Sequence, residues 1–190
     1  MAGTSTGSGL WFTDETGHGT HCAGIIGAVG DNEKGVVGIR NSSTQLHIGR
    51  ALDGENAGYE SDILEAVEGC VQNGAKVINL SFGGTSSSRT ASRYYRDLFD
   101  EGLLLVAAAG NSGSSELVYP AAYPSVISVG AVDASEKRAR FSECNSQVEL
   151  VAPGVRILST VPNNGYEVKS GTSELKFCLP WYFVNPTVTC

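Results

Sequence analysis

An α/β fold is predicted for this chain, with three layers: a mostly parallel central sheet and helices on both of its faces. Three observations predict it. Two apolar runs, Gly102-Leu103-Leu104-Leu105-Val106 and Val126-Ile127-Ser128-Val129-Gly130-Ala131-Val132, are nearly continuous rather than alternating, the pattern of strands covered on both faces. Between the candidate strands lie stretches of helical period, such as Ile63, Val67, Cys70 and Val71. The two kinds of segment alternate along the chain, as parallel strands require, because each crossover must return the chain to the same edge of the sheet.

Taken in order, the chain opens with Met1 to Gly9, a Gly/Ser/Thr-rich stretch that reads as a flexible lead-in. A helix is predicted from about His18 to Ala28, followed by a short strand over Leu46 to Leu52. The next helix covers Ser61 to Val71, with Ser61 as its N-cap, acidic residues in its first turn, and Gly74 ending it. A strand over Lys76 to Ser81, a helix over Ala91 to Asp100, and strands over Leu103 to Ala108 and Val126 to Val132 follow. Val148 to Thr160 reads as further short strands and loops. No internal repeat or interior linker is visible.

The 190 residues suit one domain, and an apolar fraction of 41% supports a real core. The formal net charge of −7 argues against nucleic acid as a partner. No apolar stretch is long enough to span a bilayer, and the first residues lack the basic and apolar regions of a signal peptide. The five cysteines include no C-x-x-C pair, which argues against a zinc ribbon or redox motif. Cys22 and Cys70 read as small buried apolar residues.

Three segments carry chemistry. In Gly17-His18-Gly19-Thr20-His21-Cys22 a histidine stands between glycines at the start of a buriable helix, where an imidazole can take and return a proton. Asn111, in Ala109-Gly110-Asn111-Ser112-Gly113, lies just past the carboxyl end of a buried strand, the edge at which α/β sheets bind ligands, and its amide can donate to a developing oxyanion. Ser173, in Ser170-Gly171-Thr172-Ser173, is a turn serine that a nearby base can activate as a nucleophile. Each has a plainer reading alone: a solvated loop histidine, a turn asparagine, a loop serine.

In this order, the three segments resemble the subtilisin-like serine proteases, the subtilases. Val77-Ile78-Asn79-Leu80-Ser81-Phe82-Gly83-Gly84 resembles that family's substrate-binding strand and loop. Tyr119 to Ala131, Phe141-Ser142, Val151-Ala152-Pro153-Gly154 and Ile157 to Thr160 fall in the family's order as well. The resemblance covers Asp14 to Ser173, and Cys22 directly after His21 is similar to the cysteine-bearing subgroup that includes proteinase K.

The resemblance implies a subtilisin-like, incomplete fold and a serine endopeptidase acting through an acyl-enzyme. His18 is then the general base and acid, Ser173 the nucleophile, and Asn111 the oxyanion donor together with the Ser173 N–H. Ser81, Phe82 and Gly83 pair with an extended protein or peptide substrate, Phe82 lining the primary pocket; by local pattern alone Phe82 reads equally as a core aromatic. Asp14 is loop scaffolding and His21 structural. A thiol reagent at Cys22 is expected to affect the site. The family is secreted or vacuolar; membrane and nucleic acid are not expected as partners, and a monomer is. No cofactor or metal is expected. Asp31 to Val36 lies where relatives carry a calcium loop, and is expected to be an empty turn, with calcium as the alternative.

Two departures stand out. The family's orienting aspartate sits at the end of a strand well ahead of the histidine, and no such strand is read here. After Ser173 the family continues with small residues on a long helix, whereas this chain has Glu174-Leu175-Lys176-Phe177-Cys178-Leu179-Pro180, where proline stops a helix. The expected organisation is a lead-in over 1–13, a partial peptidase domain over 14–173 and a non-family tail over 174–190. A poorly folded and barely active chain is expected with it. The alternative reading is a catalytically dead pseudoenzyme that binds peptides. A nucleotide-binding doubly wound domain is disfavoured, because no Gly-rich phosphate loop follows a strand.

Overall fold

The structure is a computed structural model and describes residues 1–39 and 45–174. Its elements are β1 (Ala2–Thr4), α1 (His18–Gly27), β2 (His47–Gly49), α2 (Glu60–Gln72), β3 (Val77–Leu80), α3 (Arg89–Asp100), β4 (Leu104–Ala108), β5 (Ile127–Val132), β6 (Val148–Pro153), β7 (Ile157–Val161) and β8 (Gly165–Lys169). The architecture is α/β, as predicted. The described residues cluster into two compact units, 1–78 with 159–167 and 79–158 with 168–174.

In the first unit, β1 runs parallel to β2 in the register Ala2↔His47, Gly3↔Ile48 and Thr4↔Gly49. A short strand therefore stands inside the stretch expected to be a flexible lead-in, and it carries no aspartate. Its Ala-Gly-Thr composition carries no apolar alternation, so its burial comes from its neighbours. Helix α2 approaches so closely that a β-carbon at Gly69 would overlap the Thr4 side chain, and Thr4 Oγ1 lies 2.9 Å from His47 Nε2. The strand expected over Leu46 to Leu52 is confined to β2. Arg50 still donates its N–H to Thr4 O (3.2 Å), but the Ala51 carbonyl accepts from Ser8 Oγ instead of a strand (3.2 Å).

Helix α2 begins one residue before Ser61, so the N-cap assigned to Ser61 is corrected. The cap position is Tyr59, in extended conformation and without a side-chain bond, while Glu60 and Asp62 place negative charge in the first turn, where the helix dipole favours it. The end is as expected in kind: Gly74 takes a left-handed φ of 81°. Its N–H reaches Val71 O (2.9 Å) and the Ala75 N–H reaches Cys70 O (3.0 Å), a Schellman closure.

Helix α1 buries His21, Cys22, Gly24, Ile25 and Gly27, and the 159–167 segment of the β7–β8 hairpin packs on it. Thr160 Oγ1 donates to Thr20 O (3.0 Å) and Ser159 Oγ to His21 O (2.8 Å). The imidazole of His21 is fully buried, its Nε2 3.1 Å from Glu167 O on β8. The hairpin turn at Asn163-Asn164 has φ of 62° and 56°, the two positive values of a primed turn.

The second unit is built on a sheet of order β3-β4-β5-β6. β4 pairs parallel with β5 (Val106↔Ile127), and β5 parallel with β6 (Val129↔Leu150), with a bulge at Ser128/Val129. Val106, Val129 and Ala152 form one cluster of its core, flanked by Leu104, Ile127 and Leu150. α3 starts at Arg89, two residues ahead of the expectation, because Ser88 caps it by accepting the Ala91 N–H (3.2 Å). It buries Ala91, Tyr95 and Leu98 and packs on β4. Cys22 and Cys70 are free thiols, Cys70 only half-buried, and Cys144 is disulfide-bonded. The helix stop expected at Pro180 lies outside the described residues.

Candidate active site

His18 is the first residue of α1, and what holds it there is a carboxylate. Asp14 accepts hydrogen bonds from the N–H groups of Gly17 (2.8 Å), Thr20 (2.7 Å) and Thr16 (3.2 Å), and from Thr20 Oγ1 (2.6 Å). These groups are orphan donors at a helix start. Gly17 takes the sharp entry, φ 75°, a left-handed conformation that suits glycine. Burial alone would push the Asp14 carboxyl up, but the bonds from Thr20, Gly17 and Thr16 together outweigh it and hold the group below its ordinary value of 3.8. With its oxygens committed to α1, Asp14 is scaffolding. His18 itself is half-buried. One turn on, the buried Cys22 places Sγ 4.0 Å from His18 Nε2.

The second unit brings Asn111, Ser173 and Ser81 together. Asn111 follows β4 directly, past Ala109 and Gly110. Its Oδ1 accepts both the Thr172 N–H (2.8 Å) and Thr172 Oγ1 (3.0 Å), while the Gly110 N–H donates to Thr172 Oγ1 (3.2 Å). Both bonds fall on the oxygen, so the amide is oriented with Nδ2 left as a donor. The residue after Thr172 is Ser173, half-buried, whose carbonyl accepts from Ser81 Oγ (3.0 Å). Ser81 in turn accepts from Asn79 Nδ2 (2.8 Å).

Ser81, Phe82 and Gly83 follow β3 as an open segment, Phe82 half-buried and Gly83 exposed. Phe82 is therefore not a fully buried core aromatic. A β-carbon at Gly83 would strike Val118 and come within 3.2 Å of Tyr119 O. Gly84 then pairs antiparallel with Tyr119, by Gly84 N–H to Tyr119 O (2.9 Å) and Tyr119 N–H to Gly84 O (2.8 Å).

Sequence reasoning missed two residues of this unit. Thr172 lies in the Gly-Thr-Ser turn, where no local pattern assigns it a role; the structure makes it the clamp on Asn111. Glu143 carried no signal at all, having no periodic or motif context. It is 2% exposed, yet its carboxylate accepts from the Ser112 N–H (2.9 Å), from Ser112 Oγ through a short contact and from Ser114 Oγ (3.0 Å). Its own N–H bonds Gly110 O (3.2 Å). The 110–114 loop that carries Asn111 is thus closed around one carboxylate. Burial would raise that carboxyl, but the bonds from Ser112 and Ser114 outweigh it and hold it below 4.5.

The 31–36 stretch is a turn in which Asn32 Oδ1 accepts the Lys34 N–H (3.1 Å) and Asp31 and Glu33 take positive φ. Among the described residues no group of three or more His, Cys, Asp or Glu side chains is placed to hold a metal ion, and no helix is long and apolar enough to cross a membrane.

Set against known proteins, residues 7–174 match the sequence pattern of the subtilase family. The chain is similar to subtilisin DY of Bacillus licheniformis, 43% identical over 178 residues, 91% of this chain and 64% of that protein. It is 40% identical to subtilisin E of Bacillus subtilis (strain 168) over 166 residues, 85% of this chain and 43% of that one. It therefore spans between about two fifths and two thirds of the length of these relatives. Among solved structures, a psychrophilic subtilisin-like protease from the Antarctic psychrotroph Pseudoalteromonas sp. AS-11 aligns with a TM-score of 0.79 at 41% identity, over 84% of this chain and 38% of that one. A cold adapted subtilisin-like serine proteinase aligns at 0.80 with 30% identity, over 93% and 63%.

Proposed function

The chain belongs to the subtilase family, and from that premise we propose that it hydrolyses peptide bonds as a serine endopeptidase, with Ser173 as nucleophile, His18 as general base and acid, and Asn111 as oxyanion donor. The observation that carries the reading is the clamp of Thr172 on Asn111 Oδ1, which leaves Nδ2 as the donor and ties Asn111 to the residue immediately before Ser173. A side-chain amide held in advance gains its catalytic worth from not having to reorganise as charge develops.

The chemistry needs no cofactor. Ser173 Oγ attacks the substrate carbonyl while its proton passes to His18. The tetrahedral oxyanion takes hydrogen bonds from Asn111 Nδ2 and the Ser173 N–H. His18 then returns the proton to the departing amine, leaving an acyl-enzyme that water opens by the same steps. Ser81, Phe82 and Gly83 hold the extended substrate by strand addition, and Phe82 contributes to the primary pocket. Asn79 and Ser81 brace the Ser173 carbonyl, tying the substrate segment to the nucleophile turn. Cys22, one turn from His18, supports the finer placement in the cysteine-bearing, proteinase K-like branch. Secretion and action as a monomer on protein or peptide substrates are part of the same reading.

The test is hydrolysis of a fluorogenic peptide. Asn111→Ala is expected to lower kcat by about 10²- to 10³-fold with little change in KM, and Ser173→Ala to abolish turnover. A chain that binds the peptide without cutting it would instead establish the pseudoenzyme.

A further inference from the structure

Arg89, Arg93 and Arg96 stand four and then three residues apart, which puts them on one face of α3. With Ser92, Tyr119 and Tyr123 they line a cavity of about 450 Å³. All three arginines are exposed, and among the described residues no carboxylate forms a salt bridge with any of them. Like charges at this spacing repel, and the first turn of α3, the positive end of its dipole, holds Arg89 and no acidic residue; Asp97 and Asp100 follow Arg93 and Arg96 by four residues each, toward the other end of the helix. The chain as a whole carries a net charge of −7, and the three arginines gather positive charge on one face of α3.

The opposite wall is fixed in advance. Tyr123 Oη accepts the Ser88 N–H (2.8 Å) and donates to Ser88 O (3.2 Å), and its ring packs on Tyr119 with centroids 4.8 Å apart. Tyr119 is in turn paired with Gly84, which follows the Ser81-Phe82-Gly83 segment. That pairing is what relates the groove to the segment assigned to the substrate backbone.

We infer that this groove binds acidic side chains of the peptide substrate, so that the enzyme selects peptides carrying Asp or Glu to one side of the scissile bond. The inference takes its substrate from the proteolytic reading. Guanidinium groups suit the task because each can meet a carboxylate with two parallel N–H donors. The pre-ordered tyrosine wall limits the ordering lost on binding.

The experiment measures binding apart from cleavage. In full-length chain carrying Ser173→Ala, fluorescence anisotropy compares a labelled peptide containing a run of Glu with the same peptide containing Gln. The acidic peptide is expected to bind about tenfold more tightly at low salt. The preference should vanish in the Arg93→Gln/Arg96→Gln double variant and in about 0.5 M salt, where the Debye length falls to a few ångströms. Lys137→Gln/Arg140→Gln, which removes two positive charges outside the groove, should retain it. Equal binding of the two peptides, or a preference that survives the double variant or falls equally in the control, would overturn the inference. Charge-selective binding by a wild-type chain that cuts neither peptide would refute the proteolytic reading and uphold the groove.

Discussion

Asp14 and Glu143 are carboxylates that work on backbone rather than on substrate, one at the start of α1 and one behind the Asn111 loop. Asp14→Ala removes the acceptor of three N–H groups at a helix start, and is expected to destabilise the chain by about 1–2 kcal/mol, read from urea unfolding. The pH dependence has a definite sign. Bonds in the folded state hold Asp14 below 3.8, so its contribution is complete above that value and is lost as pH falls through the lowered one; the gap between wild type and Asp14→Ala should close on acidification. Glu143→Gln removes the charge that closes the 110–114 loop. If that loop positions the oxyanion donor, kcat should fall by about tenfold or more while KM stays nearly constant. A loss confined to thermal stability would make Glu143 structural only.

Helix α1 shows at the scale of the element how His18 is fixed. A β-carbon at Gly24 would come within 2.5 Å of Ser159 Oγ, and closer still to Thr160 Oγ1. Gly24→Ala, favourable to an isolated helix, is therefore expected to destabilise this one by about 1–3 kcal/mol in thermal or urea unfolding. Elements with strong apolar pattern were legible in the sequence: β4 and β5 fall within a residue of their expected starts. The rest was hidden for identifiable reasons. β1 is three small residues whose burial is supplied by α2 and β2, and β8, Gly-Tyr-Glu-Val-Lys, has no continuous apolar run. The start of α2 escaped because Tyr59 caps it through backbone conformation alone, while the more polar Ser61 drew the assignment. Within the candidate site, His18, Asn111 and Ser173 stand out in the sequence because each lies in a short glycine-bearing motif; Thr172 and Glu143 act through bonds between segments remote in sequence, which no local pattern records.

For the molecule as a whole, the two units divide the candidate machinery. His18 and its Asp14 scaffold belong to the first, and Asn111, Ser173, the Ser81 to Gly83 segment and the arginine groove to the second. The family, the α/β architecture and the Asn111 amide held by Thr172 all bear on the proposed reaction, the acylation of Ser173. The direct measurement is treatment of the full-length chain with a fluorophosphonate, followed by peptide mapping by mass spectrometry. The account predicts a single adduct on Ser173, formed at a rate that collapses in His18→Ala. No adduct, an adduct on another serine such as Ser81, or labelling of Ser173 that is indifferent to His18 would contradict it.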